Sequence, residues 1–529
     1  MILRSIPVPI VALTGLSLAL SLATGGYATI KPSLFLATLS AMACAVFLYC
    51  LKKEIRQPIA LRMVTIAVAL PLLGWSLPAL WLLFVIMCLW VPLAAGGRFE
   101  LFAPVYLFSL LLLPALEVMM KIGSLDLMGF SVHNGLAVGA AAAIFLNPAK
   151  PRPRPEWDVV ALSVVVLIAL ALVRGTSMSH HIRMLLKIVM DLGLPYYIVS
   201  RGLRDRNSLR LALVWLAAGG IILAAILGFE VLKGWPIYNQ LYHIYQVPAT
   251  ILVKARAGML RAGGPFVEPT SAAMLLSLCT VALYVGRDFF RTRWHYFLMM
   301  GAALAGLMMP QSRGAWIGLC FAVALCDLMR GRYFVLTAKA LALGGFVSLM
   351  FLGAAFSPYL SEQLGLSGGS RDTTDYRQLL LDRGMQEFWH HPFTGASMPD
   401  LTVRLADLVQ GEGIVDFVNT YLWIALISGL IGLFIFIGAF IYFLVKIATT
   451  GRFKGRRRRD VEAGVFAFAT IAMFMEMFFF TSFGTLPAVF AFVLFGFAAA
   501  FIRQQQPVRR ARRRATEPVA ETPTVLSSS

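Results

Sequence analysis

Two short segments place arginine beside long apolar runs, where a guanidinium group would meet an anion near a membrane surface. The first is residues 256–270, RAGMLRAGGPFVEPT, in which Arg261 lies just before an apolar run. Gly263 and Gly264 follow and allow the backbone to pass close to a ligand. Glu268 enters the apolar run, where an ionisable side chain is costly and indicates a functional site. Arg256 and Glu268 are therefore candidates for substrate binding.

The second segment, residues 311–316 (QSRGAW), joins two apolar runs with almost no loop between them. Its Arg313, together with Arg261, would form a diphosphate clamp, because a planar guanidinium donates two parallel hydrogen bonds to phosphate. A structural interpretation stays open for each arginine. Arg261 is then a juxtamembrane residue whose side chain reaches the interface, and Arg313 pairs with Glu268 or Asp416.

The third segment supplies candidate proton acceptors. It comprises Trp389 to Gly395 (WHHPFTG) and the later run DFVNTY, which begins at Asp416. A histidine titrates near neutral pH, so His391 is a candidate general base, with His390 beside it. Asp416 would also accept a proton if burial raised its pKa. The structural alternative makes the histidines turn residues before a proline.

Composition indicates that these segments belong to a membrane protein. Of the 529 residues, 59% are hydrophobic and 14% charged, and the mean hydropathy is +0.78. A soluble fold of this length could not bury so much apolar surface. The net charge of +20 does not indicate nucleic acid, because the basic residues form short clusters between apolar runs. The six cysteines fall within apolar runs without a CxxC pair, which argues against disulfides or a zinc site.

Apolar runs of about 20 residues predict an all-α integral membrane protein with about 12–16 transmembrane helices and a large, partly helical periplasmic loop. The predicted spans are 6–24, 33–51, 59–77, 78–96, 101–119, 131–147, 158–174, 184–200, 211–232, 265–286, 296–311, 314–330, 333–356, 418–446, 462–481 and 485–502.

The basic clusters predict the orientation. Each follows an even-numbered span, which places the clusters and both termini of this multi-pass protein in the cytoplasm. The clusters are Lys52, Lys53 and Arg56; Lys150, Arg152 and Arg154; Arg201, Arg204, Arg206 and Arg210; Arg287, Arg291 and Arg293; Arg330 and Arg332; Arg452 to Arg459; and Arg509 to Arg514.

The chain divides accordingly into membrane and loop regions. The predicted regions are N-terminal transmembrane helices (1–232), a first periplasmic loop (233–264), transmembrane helices with outer-face arginines (265–356), a large periplasmic loop (357–417), C-terminal transmembrane helices (418–502) and a basic disordered cytoplasmic tail (503–529). Walker, GxSxG and HExxH motifs and carboxylate clusters with metal spacing are absent from the sequence, so neither a cofactor nor a metal is expected.

Together these segments resemble the O-antigen ligase and O-antigen polymerase superfamily over roughly residues 230–445. The resemblance rests on the run RAGGPFVEP from Arg261, the turn SRGAW, and the loop motif HPFTG from His391. It also rests on Asn419 followed after nine residues by Gly429-Leu-Ile-Gly432, which is similar to the ligase pattern His-[Asn/Ser/Gln], nine residues, Gly-x-x-[Gly/Thr/Tyr].

The resemblance implies a metal-independent, inverting glycosyltransferase at the periplasmic face of the bacterial inner membrane. Its donor would be a glycan on undecaprenyl diphosphate and its acceptor a sugar or glycolipid hydroxyl, with polysaccharide assembly proteins as further partners. Arg261 and Arg313 match the family arginines that neutralise the diphosphate, and Asn419 matches a motif position that would bind substrate. Val418 stands where ligases have histidine, and valine cannot accept a proton. Either the base is Asp416, His390 or His391, or the reaction relies on positioning and leaving-group stabilisation alone.

That departure favours a polymerase of exopolysaccharide or O-antigen over a ligase that joins O-antigen to the lipid A-core of lipopolysaccharide, and over a protein O-oligosaccharyltransferase. A flippase or other transporter is the alternative of another class, and a scaffold in an envelope assembly complex is a third. Transporters commonly show internal repeats with polar groups at mid-membrane in both halves. Here no repeat is visible, and the polar outer-face segments lie in the second half of the chain.

Overall fold

Helices make up most of the computed structural model, which describes residues 7–23, 27–122, 125–147, 155–247, 253–256, 258–364, 366–367, 369–409, 415–450 and 461–516. The helices are α1 (Val8–Ala23), α2 (Tyr27–Cys50), α3 (Lys53–Arg56), α4 (Ala60–Ser76), α5 (Leu80–Ala95), α6 (Phe102–Leu112), α7 (Val132–Leu146), α8 (Pro155–Val173), α9 (Met178–Ile188), α10 (Leu194–Gly202), α11 (Arg206–Lys233), α12 (Asn239–Ile244), α13 (Pro269–Val285), α14 (Arg293–Met308), α15 (Arg313–Met329), α16 (Tyr333–Ala354), α17 (Pro358–Leu364), α18 (Gly369–His390), α19 (Met398–Arg404), α20 (Thr420–Thr450), α21 (Glu462–Met477) and α22 (Thr485–Thr516).

Strands are confined to two antiparallel hairpins within these ranges. They pair β1 (Glu117–Ile122) with β2 (Leu125–Ser131), and β3 (Ala255–Arg256) with β4 (Met259–Leu260). The first hairpin was not predicted, since the span 101–119 was expected to continue as helix. Leu113 precedes Pro114 and takes an extended backbone, which ends α6 at Leu112.

Seven helices within the described ranges are long and apolar enough to cross a bilayer, which agrees with the predicted all-α integral membrane class. They are Thr29–Cys50, Glu156–Val173, Arg206–Lys233, Pro269–Phe289, Tyr333–Ala354, Thr420–Thr450 and Leu486–Gln505. Five apolar helices are shorter, with 10–17 residues each.

The predicted span 184–200 is part of a longer helical stretch. In it, α9 continues through a π-helical turn at Val189–Gly193 into α10. Helices α11, α13 and α22 are the most buried of the long apolar helices, whereas α16 lies at the periphery.

Several of the basic clusters meet at one end of the helix bundle, called here the basic end. The loop after α2 contacts the loop after α13, where Lys52 N donates to Phe289 O at 2.9 Å. Arg503 reaches the end of α10 by donating to Leu203 O at 2.8 Å, and Arg330 pairs with Glu462. The starts of α13 and α15 and the end of α21 therefore lie at the opposite end.

Two basic clusters and the end of the tail lie outside the described residues. These are residues 148–154, 451–460 and 517–529. Helix α22 continues to Thr516, past the predicted end of the last span at residue 502, so the start of the predicted tail is helical. The Gln, Arg and Ala residues that are frequent after residue 502 favour helix, which explains the extension.

Candidate functional site

A cavity of about 520 Å³ opens among the helix ends opposite the basic end. Its lining contains five basic and two acidic side chains, so positive charge is in excess. The charged lining residues are Lys254, Arg256, Arg261, Arg313 and Arg377, with Glu268 and Asp416. The structure thus brings together five sequence-predicted site residues: Arg256, Arg261, Glu268, Arg313 and Asp416.

Arg261 is held by the loop between β4 and α13. A buried carboxylate, Glu230 near the end of α11, accepts a hydrogen bond from Gly264 N at 2.9 Å and anchors this loop. Gly264 has φ +55°, which favours glycine, and a Cβ added at Gly263 would clash with Val267 O. The glycines predicted to permit close backbone approach therefore shape the loop that carries Arg261.

Two backbone carbonyls tie the arginine segments to each other. Arg261 Nε donates to Pro310 O at 3.0 Å, and Arg256 Nη1 donates to Gln311 O at 2.8 Å. Gln311 (φ 52°) and Val267 (φ 62°) both have positive φ, which is unusual for residues other than glycine. Backbone strain of this kind clusters at functional sites, and here it lies in both arginine-bearing segments.

Arg313 begins α15 and donates from Nη1 to Leu364 O at 2.9 Å, at the end of α17. Within the described part of the chain, neither Arg261 nor Arg313 forms a salt bridge. Glu268, one expected partner of Arg313, instead pairs with Lys254 Nζ at 2.8 Å. The guanidinium groups of both arginines line the cavity and are placed to meet an anion there.

The electrostatics of the cavity favour an anion. Burial and, secondarily, the neighbouring Arg256 lower the pKa of Arg261 to about 10, although Glu268 opposes the shift. Burial likewise lowers the pKa of Arg256, and the positive charge of Arg377 lowers it further. The folded protein thus disfavours the positive charges of these arginines, and an anion bound in the cavity would stabilise it.

Glu268, which lies just before α13, behaves in the opposite way. Burial alone would raise its pKa, but Lys254, the Thr270 amide and Arg261 together outweigh burial, and the net pKa is lowered. The hydrogen bond from Thr270 N to the Glu268 carboxylate is 3.3 Å long. Glu268 is therefore ionised at neutral pH, which suits an ion pair better than a proton acceptor.

Lys254, Tyr376 and Arg377 are among the lining residues that the sequence did not predict. Tyr376 and Arg377 lie on α18, within the large loop, and only the tertiary fold brings that helix to the cavity. The Tyr376 hydroxyl donates to Asp416 O at 3.2 Å, and Arg377 Nη2 donates to Phe480 O at 3.4 Å. Lys254 lies two positions before a segment already identified as arginine-rich, so its proximity in sequence was a usable signal.

Val418 and Asn419, at the start of the ligase-like motif, differ in their position relative to the cavity. Val418 lines the cavity, whereas Asn419 is not among the lining residues. Asn419 Oδ1 accepts hydrogen bonds from Tyr421 N at 3.0 Å and Leu422 N at 3.2 Å, which caps α20. The substrate-binding role of Asn419 stays a prediction beside this capping role.

The two candidate histidines are outside the cavity lining. His390 ends α18 and His391 follows it, and both are exposed. At a rise of 1.5 Å per residue, His390 lies about 20 Å along the axis of α18 from Arg377. The catalytic role of the histidines stays a prediction, but this placement favours Asp416 as the proton acceptor.

A family match covers the region that contains much of this cavity. Residues 297–437 match the family model described as O-Antigen ligase. The resemblance to the O-antigen ligase and polymerase superfamily is confirmed. No curated protein matches the chain. The match supports glycan transfer of the ligase or polymerase type, for which the family implies a polyprenyl-linked donor and a lipid acceptor.

The O-antigen ligase match includes Arg313, α18 and Asp416, while Arg261 lies before it. Among the described residues, no group of three or more histidine, cysteine or acidic side chains is arranged to hold a metal ion. The cations of the cavity are the residues suited to an anionic ligand.

Within the region of the O-antigen ligase match, the HPFTG loop fills a break in α20. Gly429 has φ 66° and ψ −166°, which interrupts the helix. Leu430 N donates to Pro392 O at 2.8 Å, and Ala396 N donates to Leu426 O at 2.8 Å. The loop thus supplies hydrogen-bond partners to backbone groups that the interrupted helix cannot pair internally.

Arg174, which follows α8, completes this junction. Its guanidinium donates to Thr394 O at 2.8 Å, Gly395 O at 3.2 Å and Ala396 O at 3.1 Å. It also donates to Ile427 O beside the break. This role was not predicted from the sequence, because the partners of Arg174 lie 220 or more positions later in the chain.

Proposed function

We propose that this protein transfers a glycan from undecaprenyl diphosphate to a sugar hydroxyl at the periplasmic face, as a polymerase of exopolysaccharide or O-antigen. The observation that carries the proposal is the cavity in which Arg261, Arg313 and Arg377 converge without a salt bridge to any of them among the described residues. Such a site matches a diphosphate in charge and in hydrogen-bonding geometry.

The proposed reaction is an inverting displacement at the anomeric carbon of the donor sugar. The bond from that carbon to the diphosphate oxygen breaks, and its electron pair goes to the diphosphate. The acceptor hydroxyl oxygen forms the new bond from the opposite face. The arginines stabilise the charge that develops on the departing diphosphate, so the chain's own cations perform the electrostatic part of catalysis.

The proton of the acceptor hydroxyl passes to a base, and Asp416 is our choice. Asp416 lines the same cavity as the arginines, whereas His390 and His391 are exposed outside it. Glu268 is a weaker candidate because its lowered pKa makes its carboxylate a poor proton acceptor at neutral pH. Asp416, two residues before Val418, would then be the proton acceptor in place of the histidine of the ligase pattern.

The proposed orientation follows from the separation of charge. Basic clusters favour the cytoplasmic side, so the basic end would face the cytoplasm and the cavity would open to the periplasm of a bacterial inner membrane. A polyprenyl diphosphate at that cavity would keep its chain in the bilayer and its glycan in the periplasm.

Val418 supports a polymerase rather than a ligase. This side chain lines the cavity at the position where the ligase pattern has histidine, and valine cannot accept a proton. Ligation to lipid A-core and transfer to protein are alternatives that use the same chemistry. Analysis of the lipid-linked pool separates these two alternatives from polymerisation.

The test uses a deletion strain complemented with wild type, Arg313→Ala or the control Arg293→Ala. Arg293 is exposed at the start of α14 and is not a lining residue of the cavity. The surface polysaccharide is resolved on gels and the lipid-linked pool is measured by mass spectrometry. We expect Arg313→Ala to lose long chains and accumulate single lipid-linked repeats, while Arg293→Ala matches wild type.

Other outcomes assign the protein differently. Long lipid-linked chains that persist without reaching their acceptor indicate a ligase or an oligosaccharyltransferase. Repeats trapped on the cytoplasmic side indicate a flippase. Unchanged pools in Arg313→Ala contradict the proposal altogether.

A further inference from the structure

Two glycines in the loop that carries Arg261 form a small concave group of backbone amides. Gly263 has a right-handed backbone (φ −108°, ψ −19°), and Gly264 has a left-handed one (φ 55°). Successive residues with these two conformations turn their amides towards a common point, which makes an anion-binding concavity called a nest. The nest of Gly263 and Gly264 therefore favours a negatively charged partner.

The partner in this structure is the carboxylate of Glu230. It accepts a hydrogen bond from Gly264 N at 2.9 Å, and the amide of Gly263 is also directed at it. The amides of Ile237 and Tyr238, in the turn after α11, are directed at the same carboxylate. Glu230 thus joins the end of α11, the turn that follows this helix, and the arginine-bearing loop.

Glu230 is a buried carboxylate that backbone amides stabilise without a cation. The residue is 1% exposed, and no lysine or arginine in the described part of the chain forms a salt bridge with it. Burial of a carboxylate is costly, and an ionisable side chain in a membrane-spanning helix indicates a functional role. The cost is offset here by hydrogen bonds to the loop that carries Arg261.

The loop needs such contacts because its backbone is strained. Val267 has φ 62°, which is unfavourable for a β-branched residue. A strained conformation persists only where the surrounding structure holds it in place. The hydrogen bond between Gly264 and Glu230 holds the loop on the side of α11, and the one from Arg261 Nε to Pro310 O holds it on the side of α15.

We propose that Glu230 is a positioning residue for Arg261. Its carboxylate fills the nest and thereby fixes the loop in the conformation that places Arg261 in the cavity lining. Glu230 is not itself a lining residue, so it acts through the loop and not by contact with the substrate. The proposal rests on the proposed function, in which Arg261 binds the diphosphate of the donor.

The affinity for inorganic pyrophosphate tests this proposal in the full chain, measured by thermal shift over a concentration series. Glu230→Gln keeps the size of the side chain but replaces one oxygen with an NH2 group, which cannot accept a hydrogen bond. We expect pyrophosphate to bind about 10-fold more weakly, as when a hydrogen bond to a charged group is lost. Removal of a merely neighbouring negative charge would tighten binding instead. Tighter or unchanged binding overturns the proposal.

Glu462→Gln is the matched control for loss of a buried carboxylate. Glu462 is 9% exposed, pairs with Arg330 at the basic end, and is not a lining residue of the arginine cavity. We expect this variant to bind pyrophosphate as wild type does. Equal weakening in Glu230→Gln and Glu462→Gln would reduce the effect to a general loss of stability and overturn the positioning role.

A double-mutant cycle determines whether Glu230 acts through Arg261. In the Arg261→Ala background, Glu230→Gln should cause no further loss of pyrophosphate affinity, because the positioned group is already absent. Losses that add in the double variant contradict a role through Arg261.

The nest can also be perturbed from its glycine side, which decides the matter if Glu230→Gln does not fold. Gly264→Ala leaves the carboxylate in place. Its control is Gly234→Ala, since Gly234 has a similar φ of 61° and an added Cβ there meets no atom within 4 Å. We expect weaker pyrophosphate binding in Gly264→Ala only. Equal affinities of the two alanine variants reject the proposal.

Failure of the proposed function gives a different result. In that case Arg261→Ala and Arg313→Ala both bind pyrophosphate as wild type does. Binding that depends on these arginines but is unchanged in Glu230→Gln and Gly264→Ala retains the proposed function and rejects only the positioning role of Glu230.

Discussion

Arg174 and Arg313 occupy opposite kinds of arginine site. Arg174 donates to four backbone carbonyls at the break in α20, all belonging to the protein itself. Arg313 donates to Leu364 O and otherwise lines a cavity with four other basic side chains. The difference separates an arginine that holds the fold together from one available to a ligand.

The largest effect is expected at Arg313. Arg313→Ala should lower transfer activity by at least about 100-fold, the usual effect of losing a group that stabilises developing negative charge. Arg313→Lys should also be severely impaired, because a point charge cannot donate two parallel hydrogen bonds. Activity is measured in membranes against a lipid-linked donor, with protein amount checked by immunoblot. Full activity of the lysine variant would show that charge alone is sufficient.

Substitution of Arg174 should lower the stability of the protein rather than act directly on the transfer reaction. Arg174→Ala removes a donor shared by several carbonyls at the break, and an unsatisfied buried group costs about 1–3 kcal/mol. We expect a lower melting temperature in detergent and partial recovery of activity in cells grown at low temperature. Normal stability combined with abolished activity would place Arg174 with Arg313 and remove the distinction between the two sites.

Arg377 should act as an anion-binding arginine, like Arg313, rather than as a structural arginine, like Arg174. Its positive charge lowers the pKa of Arg256 and Arg261, so Arg377→Gln should relieve repulsion and raise the melting temperature of the anion-free protein slightly. The same variant should show a smaller thermal shift with pyrophosphate. A lower melting temperature with an unchanged pyrophosphate shift would instead group Arg377 with Arg174.

The smallest effect concerns Glu268, a cavity residue that is paired within the protein as Arg174 is. The pKa of Glu268 is lower in the folded protein than in the unfolded chain. Its ionised carboxylate therefore stabilises the fold at pH values above the unfolded-state pKa, and this stabilisation is lost as the pH falls through the folded-state pKa. Glu268→Gln should therefore flatten the acidic side of the stability profile, measured by thermal unfolding at several pH values. An unchanged profile would mean that the Lys254 pair contributes no net stability.

The membrane class and several cavity residues could be predicted from the sequence because they depend on local features. Apolar length identifies a span, and Arg261 and Arg313 stand directly beside apolar runs. Tyr376 and Arg377 were missed because α18 meets the cavity only through tertiary packing. The roles of Arg174 and of the α20 break depend on contacts between segments far apart in the chain, for which a single sequence carries no signal.

The exposure of Cys320 gives the protein a built-in chemical handle. Of the six cysteines, Cys320 alone is exposed, while four are buried and Cys88 is partly buried. A membrane-permeable maleimide dye should therefore label wild-type protein mainly at one position, on the exposed surface of α15. Cys320 lies about 10 Å along the axis of α15 from Arg313, so the emission of the dye could follow pyrophosphate binding in the cavity without engineering a cysteine-free background.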